Sequence, residues 1–210
     1  KDFCEYKVDN LGNIIAFKKG KKTPSKKVMI DAHLDEVGLI ITSVTSDGFL
    51  RFTTVGGINT EVMLCRSVLI NGSVHGVIGM RPVHLCSGDT AKKLPKPDNL
   101  YIDIGAKNKE DALKFVSLGD RAVIKGDYYQ NGDMVLSKAL DDRTGCAVLC
   151  SLIKEESEYD FYASFSTQEE VGLRGAKVAA FGIEPDSARV LEGTTASDIS
   201  GVPSDKKVCV

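Results

Sequence analysis

The stretch 26–38 reads KKVMIDAHLDEVG, in which an apolar run from Val28 to Ile30 is followed within a few residues by Asp31, His33, Asp35 and Glu36. A short apolar run without polar alternation is the pattern of a strand covered on both faces, as in an α/β sheet. Open α/β sheets bind ligands beyond the carboxyl ends of their strands. An imidazole and carboxylates at such an end therefore make the rest of that sheet edge the place to look for a site.

Upstream, YKVDNLGNIIAFKKGKK (6–22) reads as a hairpin-like pair around an Asn-Leu-Gly turn, and the lysines of KKGKKTPSKK (18–27) as a solvated loop. Downstream, from about 43 to 130, short β-rich stretches such as GFLRFTTV, RSVLING, VHGVIGMRPV, NLYIDIGA and DRAVIKGDYY are separated by Gly, Pro or Asn turns, the pattern of a small β-barrel or sandwich. One helical segment, NKEDALKFVSLG (108–119), interrupts it, with Leu113, Phe115 and Val116 as its apolar side and Gly119 as its stop. After Asn131 the α/β pattern returns. A helix begins near Thr144 or Gly145 and runs through Ile153, DFYASFSTQEEVG carries a strand, GAKVAAFGIEPDS a helix halted near Gly182 and Pro185, and ARVLEGTTAS another strand. The expected organisation is an α/β domain from 1–42 and 131–210 interrupted by an all-β domain at 43–130.

Composition limits the function classes. With 27 Lys and Arg against 29 Asp and Glu in 210 residues, and no long run of one sign, nothing recommends a nucleic-acid groove or a membrane surface. No apolar run approaches a membrane span, and KDFCEYKVDN lacks the apolar core of a signal peptide, so the expectation is a soluble, cytoplasmic protein. The six cysteines, Cys4, Cys65, Cys86, Cys146, Cys150 and Cys209, show no paired spacing and several sit in apolar runs, which reads as reduced, packed thiols. Cys146 and Cys150 share a helical face but have no further soft ligands clustered with them.

Four segments bring acids or imidazole to one edge. His33 and Asp35 follow the first buried strand, Asp141 and Asp142 precede a helix, Glu169 and Glu170 follow a second strand, and Glu192 follows the run ARVL. Adjacent carboxylates repel one another unless solvent or a cation compensates. Imidazole with several carboxylates suits zinc, cobalt or manganese rather than a thiolate site. On an extended segment Glu169 and Glu170 point to opposite faces and so are free to differ in role. Each group also has a plainer explanation: a solvated turn for the Glu pair, a negatively charged helix N-terminus for Asp141 and Asp142, and ordinary residues of the β module for His75 and His84.

DAHLDEVG (31–38), ALDDRTGCAVL (139–149), TQEEVGLRGA (167–176) and LEGTTASD (191–198), in this order around a β-rich insertion, resemble the tetrahedral aminopeptidases, the glutamyl and leucyl aminopeptidase family of co-catalytic metallopeptidases. Some members of that family have carried cellulase or endoglucanase names. The resemblance spans essentially the whole chain. It implies a mixed-sheet α/β/α metallopeptidase domain with an inserted small β-barrel domain, and removal of the first residue of peptide substrates with two divalent ions, zinc or cobalt, with manganese also accepted. It further implies His33 and Glu192 as ligands of one ion, Asp141 as the bridging carboxylate with a cis peptide bond to Asp142, Glu170 as a ligand of the second ion, Glu169 as general base, and Asp35 as the carboxylate that orients His33. Assembly into a homo-oligomer through the inserted module is also implied.

Two features depart from the family pattern. Glu192 stands where many relatives place an aspartate. The histidine that the family supplies to the second ion from near its carboxyl end has no counterpart before KKVCV, and the family begins with a helical segment ahead of the equivalent of Lys1, so the chain resembles a relative missing both ends. The expectation is that this polypeptide by itself holds one metal poorly and has little activity. Two other functions fit the residues: a glycosidase using Glu169 and a second carboxylate without metal, and a non-catalytic binding or assembly module with a vestigial metal site.

Overall fold

The structure, a computed structural model, describes residues 3–82 and 96–194. The chain divides into two compact units, with junctions after Glu36 and after Lys138.

The first unit is built on a five-stranded mixed sheet. Its strands are β1 (Glu5–Val8), β2 (Ile14–Lys18), β3 (Val28–His33), β12 (Phe161–Ser166) and β13 (Ser187–Val190), in the order β1-β2-β12-β3-β13. β1 and β2 form the hairpin expected around Leu11 and Gly12; β12 runs antiparallel to β2 and parallel to β3, and β13 runs parallel to β3. Because side chains alternate along a strand, β3 serves two cores at once. On one face Ile30 and Ala32 pack with Phe161, Ala163 and Phe165 under helix α2 (Leu140–Lys154), which contributes Cys146, Leu149 and Ile153. On the other, Met29 packs with Ile15 under helix α3 (Arg174–Ile183), whose Gly175, Ala179 and Ile183 recur at one-turn spacing. Leu149 is fully buried against the sheet, and removing such a side chain from water is worth about 1.5–3 kcal/mol.

This topology fixes where the site lies. β3, β12 and β13 are parallel neighbours, so their carboxyl ends lie side by side: Ser166 pairs with His33 and Val190 with Asp31. Main-chain bonds continue the ladder past the strand ends, from Leu34 N–H to the Ser166 carbonyl (2.7 Å) and from Leu191 N–H to the Asp31 carbonyl (2.9 Å).

The second unit is a closed six-stranded antiparallel barrel, which decides between the barrel and the sandwich left open by periodicity. Its strands are β4 (Gly38–Val44), β5 (Leu50–Val55), β6 (Ser67–Ile70), β7 (Val74–Met80), β8 (Leu100–Asp103) and β9 (Arg121–Ile124), closing in the order β4-β5-β8-β7-β6-β9. Leu39, Ile41, Leu50, Phe52, Val68, Ile70, Ile78, Leu100, Ile102 and Ala122 fill it. The expected edges near 42 and 131 fall inside this unit: β4 begins at Gly38, and a hairpin of β10 (Tyr129–Asn131) and β11 (Met134–Leu136) precedes the junction. The first edge falls late because LIITSV (39–44) is as apolar as a sheet-core strand, a barrel interior demanding the same side chains.

The expected helix at 108–119 shortens to α1 (Lys109–Ala112), capped by the Asn108 side chain. Ala112 and Val116 face the barrel core, whereas Leu113 and Phe115 are exposed. Among the described helices none is long and apolar enough to cross a membrane. The described cysteines, Cys4, Cys65, Cys146 and Cys150, are free thiols. Cys86, Cys209 and His84 lie outside the described residues, and His75 is an exposed residue of β7.

Candidate metal centre

His33 ends β3 with its imidazole buried, at 2% side-chain exposure. Its Nδ1 lies 3.1 Å from the main-chain oxygen of Asp35. A carbonyl oxygen only accepts, so Nδ1 donates to it and Nε2 is the ring nitrogen left facing the acids. Around Nε2 stand Asp141 Oδ1 at 3.1 Å, Glu192 Oε1 at 3.5 Å and Glu169 Oε2 at 4.0 Å. Three separate chain segments thus aim carboxylates at one nitrogen. Among the described residues two donor sets form, His33 with Asp141 and Glu192 and His33 with Glu169 and Glu170, each with ligand atoms within 4.8 Å of one another.

Each carboxylate is delivered by a local device. Asp141 and Asp142 lie at the start of α2 with non-helical backbone angles, Ala139 before them is left-handed (φ 54°), and the peptide bond between the two aspartates is cis. Regular helix therefore begins close to where the sequence places it, and Asp141 belongs to its irregular entry. Gly193 permits the approach of the next segment: a Cβ there would lie 3.1 Å from the Cα and Cβ of Asp141. Glu169 and Glu170 sit in the turn between β12 and α3, after Gln168 in the left-handed region (φ 58°). They are not on extended chain, and both carboxylates reach the His33 side instead of facing opposite ways.

Asp35 is at the site but acts differently from a simple carboxylate–imidazole pair. Its main-chain carbonyl holds His33 Nδ1, while its carboxylate accepts the main-chain N–H groups of Glu169 (3.0 Å) and Glu170 (3.2 Å). The carboxylate oxygen nearest the ring is 3.6 Å from Nδ1, beyond hydrogen-bond range. Asp142, which sequence reasoning left as a helix-start residue, is fully buried; its carboxylate accepts His33 N–H (3.1 Å) and Gly145 N–H (3.0 Å). The Cys146 thiol donates to the His33 carbonyl at 3.1 Å, and burial pushes its pKa up to about 11, so it stays a thiol and is no soft ligand. No spacing rule signals Asp142 or Cys146; only the packing of α2 against β3 brings them to His33.

The electrostatics are those of a cluster of acids around one imidazole. Burial, the hydrogen bond shared with Asp141 and the charge of Asp141 push the Glu192 carboxyl up to about 7. Burial and the neighbouring Glu169 charge raise Glu170, and burial raises Asp142 despite its two amide bonds. Burial alone lowers the imidazole pKa of His33, but the Asp141 hydrogen bond and the charges of Glu192, Asp35 and Glu169 outweigh it, and the net change is upward. Carboxylates driven toward protonation around an imidazole whose own pKa is raised suit a divalent cation, which would displace those protons, neutralise the repulsion and take the oxygen and nitrogen donors together.

An open groove lined by Leu140, Thr144, Val148 and Val190 runs beside Asp141 and Glu192. Comparison with known proteins adds kinship to this geometry. A family model described as M42 glutamyl aminopeptidase matches residues 12–209. A putative aminopeptidase of Acetivibrio thermocellus is 45% identical over 201 residues, covering 92% of this chain and 57% of the relative. The solved TET aminopeptidase of a marine sediment archaeon of the Thaumarchaeota superposes with a TM-score of 0.90 at 37% identity, covering 96% of this chain and 59% of that one. The TET1 peptidase of Pyrococcus horikoshii, described as able to assemble into a tetrahedron or a large octahedral shell, superposes with a TM-score of 0.81 at 37% identity, over 94% of this chain and 63% of its own. The chain thus spans less than two thirds of the length of these relatives.

Proposed function

This chain belongs to the M42 glutamyl aminopeptidase family, and from that premise we propose that it is a metal-dependent aminopeptidase whose centre is built on His33. The observation that carries the proposal is Nε2 of His33, the nitrogen left to the site while Nδ1 faces the Asp35 carbonyl, ringed by Asp141, Glu192 and Glu169. His33, Asp141 and Glu192 would hold one divalent ion, and Glu170 with Asp141 a second, zinc or cobalt by preference and manganese by the same donor chemistry. Bound there, the ions supply Lewis acidity that lowers the pKa of a water and polarises the scissile carbonyl.

The protein's own groups do the rest. Glu169 takes the proton of the attacking water at a carboxylate oxygen and returns it to the amide nitrogen as the carbon–nitrogen bond breaks. The excess of carboxylates attracts the ammonium end of a peptide and repels its carboxylate end, which favours removal of the first residue. Asp35 fixes the imidazole through its carbonyl and the Glu169–Glu170 turn through its carboxylate.

Self-association is part of the proposal. It is supported by the described assembly of the Pyrococcus horikoshii relative and by the exposure of Tyr128, Tyr129, Met134 and Leu136 at the barrel unit's hairpin. A cytoplasmic location is proposed from the free thiols.

The test is metal content by mass spectrometry alongside cleavage of a panel of dipeptide substrates with free and acetylated amino ends. We expect bound zinc, cobalt or manganese, slow cleavage confined to the free-amine substrates, loss with chelator and recovery on adding metal. Cleavage indifferent to chelator would overturn the reading and turn attention to a carboxylate pair acting without metal. An absence of bound metal in protein purified without chelator would favour a non-catalytic module.

A further inference from the structure

The turn that carries Glu169 and Glu170, residues 167–175, is closed at its base by one side chain far away in sequence. Asn13, just before β2, is fully buried. Its Oδ1 accepts the Thr167 N–H at 2.9 Å, and its Nδ2 donates to the Gly175 carbonyl at 3.0 Å and to Asp9 Oδ2 at 2.7 Å. The Thr167 hydroxyl shares its single proton between Asn13 Oδ1 (3.2 Å) and the Leu11 carbonyl (3.1 Å). Asp9 completes the support, its other carboxylate oxygen accepting the N–H groups of Leu11 (2.9 Å) and Asn13 (3.0 Å).

A primary amide has two donor hydrogens and one oxygen with two lone pairs, and here each is engaged. Its orientation is dictated by its partners, because Thr167 N–H can only donate and the Gly175 carbonyl can only accept. The two ends of the turn also bond each other, Gly175 N–H to the Thr167 carbonyl at 2.9 Å. Gly175 has to be glycine for this closure, since a Cβ would collide with the Thr167 carbonyl and Asn13 Oδ1. Between this base and the Asp35 carboxylate that holds the tip, the turn has little freedom left.

We propose that Asn13 is a positioning residue for the metal centre: by clamping Thr167 to Gly175 it sets the Glu169 and Glu170 carboxylates against His33. The inference rests on the reading of Glu169 and Glu170 as base and metal ligand. Supporting residues beyond the ligands hold site geometry to a fraction of an ångström, and their loss typically weakens metal binding about 10- to 100-fold.

The test compares Asn13→Asp with Asp160→Asn in the 210-residue chain. Asn13→Asp is nearly isosteric but turns an oxygen toward the Gly175 carbonyl and the Asp9 carboxylate. Asp160 is similarly buried but binds Lys19, Gly20 and Thr23, not the turn, and so reports on a merely structural loss. Two quantities are read well below the unfolding midpoints: zinc affinity by competition with a chelating dye, and hydrogen exchange of the Glu169 and Glu170 amides in metal-free protein. We expect Asn13→Asp to weaken zinc binding and speed that exchange at least about tenfold, and Asp160→Asn to do neither. Equal behaviour of the two variants would overturn the proposal. Should Asn13→Asp not fold, Asn13→Ser is judged by the same readouts, and unchanged values in it would be equally fatal. Should the unmodified chain bind no zinc, cobalt or manganese, the metallopeptidase reading fails, and the exchange rates alone decide whether Asn13 clamps the turn.

Discussion

Replacing Glu192 with glutamine separates folding from metal binding, because the two respond in opposite directions. Burial and the Asp141 carboxylate lift the Glu192 carboxyl from an ordinary 4.5 to about 7. For a fully shielded group that rise corresponds to about 3.4 kcal/mol; with the side chain 45% exposed, solvent screening reduces it to about 1 kcal/mol. The sign follows from proton linkage. Below the ordinary pKa, Glu192 is protonated whether the chain is folded or not and contributes no pH dependence. As pH rises the unfolded chain releases the proton first while the folded chain retains it, so stability falls until the folded group also ionises near 7. Glu192→Gln removes that penalty. In urea unfolding with chelator present, the variant should gain about 1 kcal/mol over the parent at about pH 8 and nothing at about pH 4. In a zinc titration at the higher pH it should bind at least about tenfold more weakly, having lost a donor. A variant that is less stable than the parent at the higher pH, or that binds zinc as well as the parent, would refute the account of Glu192 as a strained carboxylate held for a cation.

Two further substitutions probe the supports of the centre. Asp35→Asn keeps one acceptor for the turn but sets an amino group against the other main-chain N–H, losing a charge-assisted bond worth about 1.5–3 kcal/mol in a buried setting and about 1 kcal/mol at this partly exposed one; the urea midpoint should fall and zinc affinity with it, and no change in either would contradict the role given to the carboxylate. Gly193→Ala places a Cβ 3.1 Å from Asp141, so the aspartate has to move by a few tenths of an ångström; stability should drop by about 1 kcal/mol and zinc binding should weaken, whereas zinc binding unchanged by titration calorimetry would show that Asp141 is not held by this contact.

The legible part of the fold is the part written in short-range pattern. VMI, FYASFS and ARV are apolar runs bounded by polar turns, and they become the parallel strands β3, β12 and β13 whose ends gather the acids. A residue that directly follows such a run can be placed at the sheet edge without coordinates, and His33 and Glu192 are of this kind. Other features depend on contacts that local pattern does not encode. The sequence 108–119 offers several apolar residues, but only the barrel interior determines that Ala112 and Val116 turn inward while Leu113 and Phe115 stay in solvent. Alternation identifies the barrel strands, yet closure depends on the pairing of β4 with β9, two strands far apart in the chain. Asn13 is legible as part of a hairpin turn, because Asp9 organises that turn locally; its bond to Gly175 links residues separated by 162 positions and leaves no local signature.

The way the donor sets overlap also bears on how the centre would fill. His33 belongs to both, but its Nδ1 is committed to the Asp35 carbonyl and its Nε2 has one lone pair, so it can serve a single cation. Among the described residues a second cation would rest on carboxylates alone, with Asp141 shared and Glu170 raised by burial and by Glu169. Carboxylates that must lose a proton before they bind hold metal less tightly at a given pH than ligands already in their binding form. Glu192 and Glu170 both carry that cost, so the nitrogen donor decides: Nε2 lies 3.1 and 3.5 Å from Asp141 and Glu192, which favours first occupation there. The charge of that first cation would then draw protons from the neighbouring acids and help the second set to form. Inequality between the two positions thus follows from one imidazole, and the pairing of Glu169 with Glu170 in a single turn couples the second position to the proposed base.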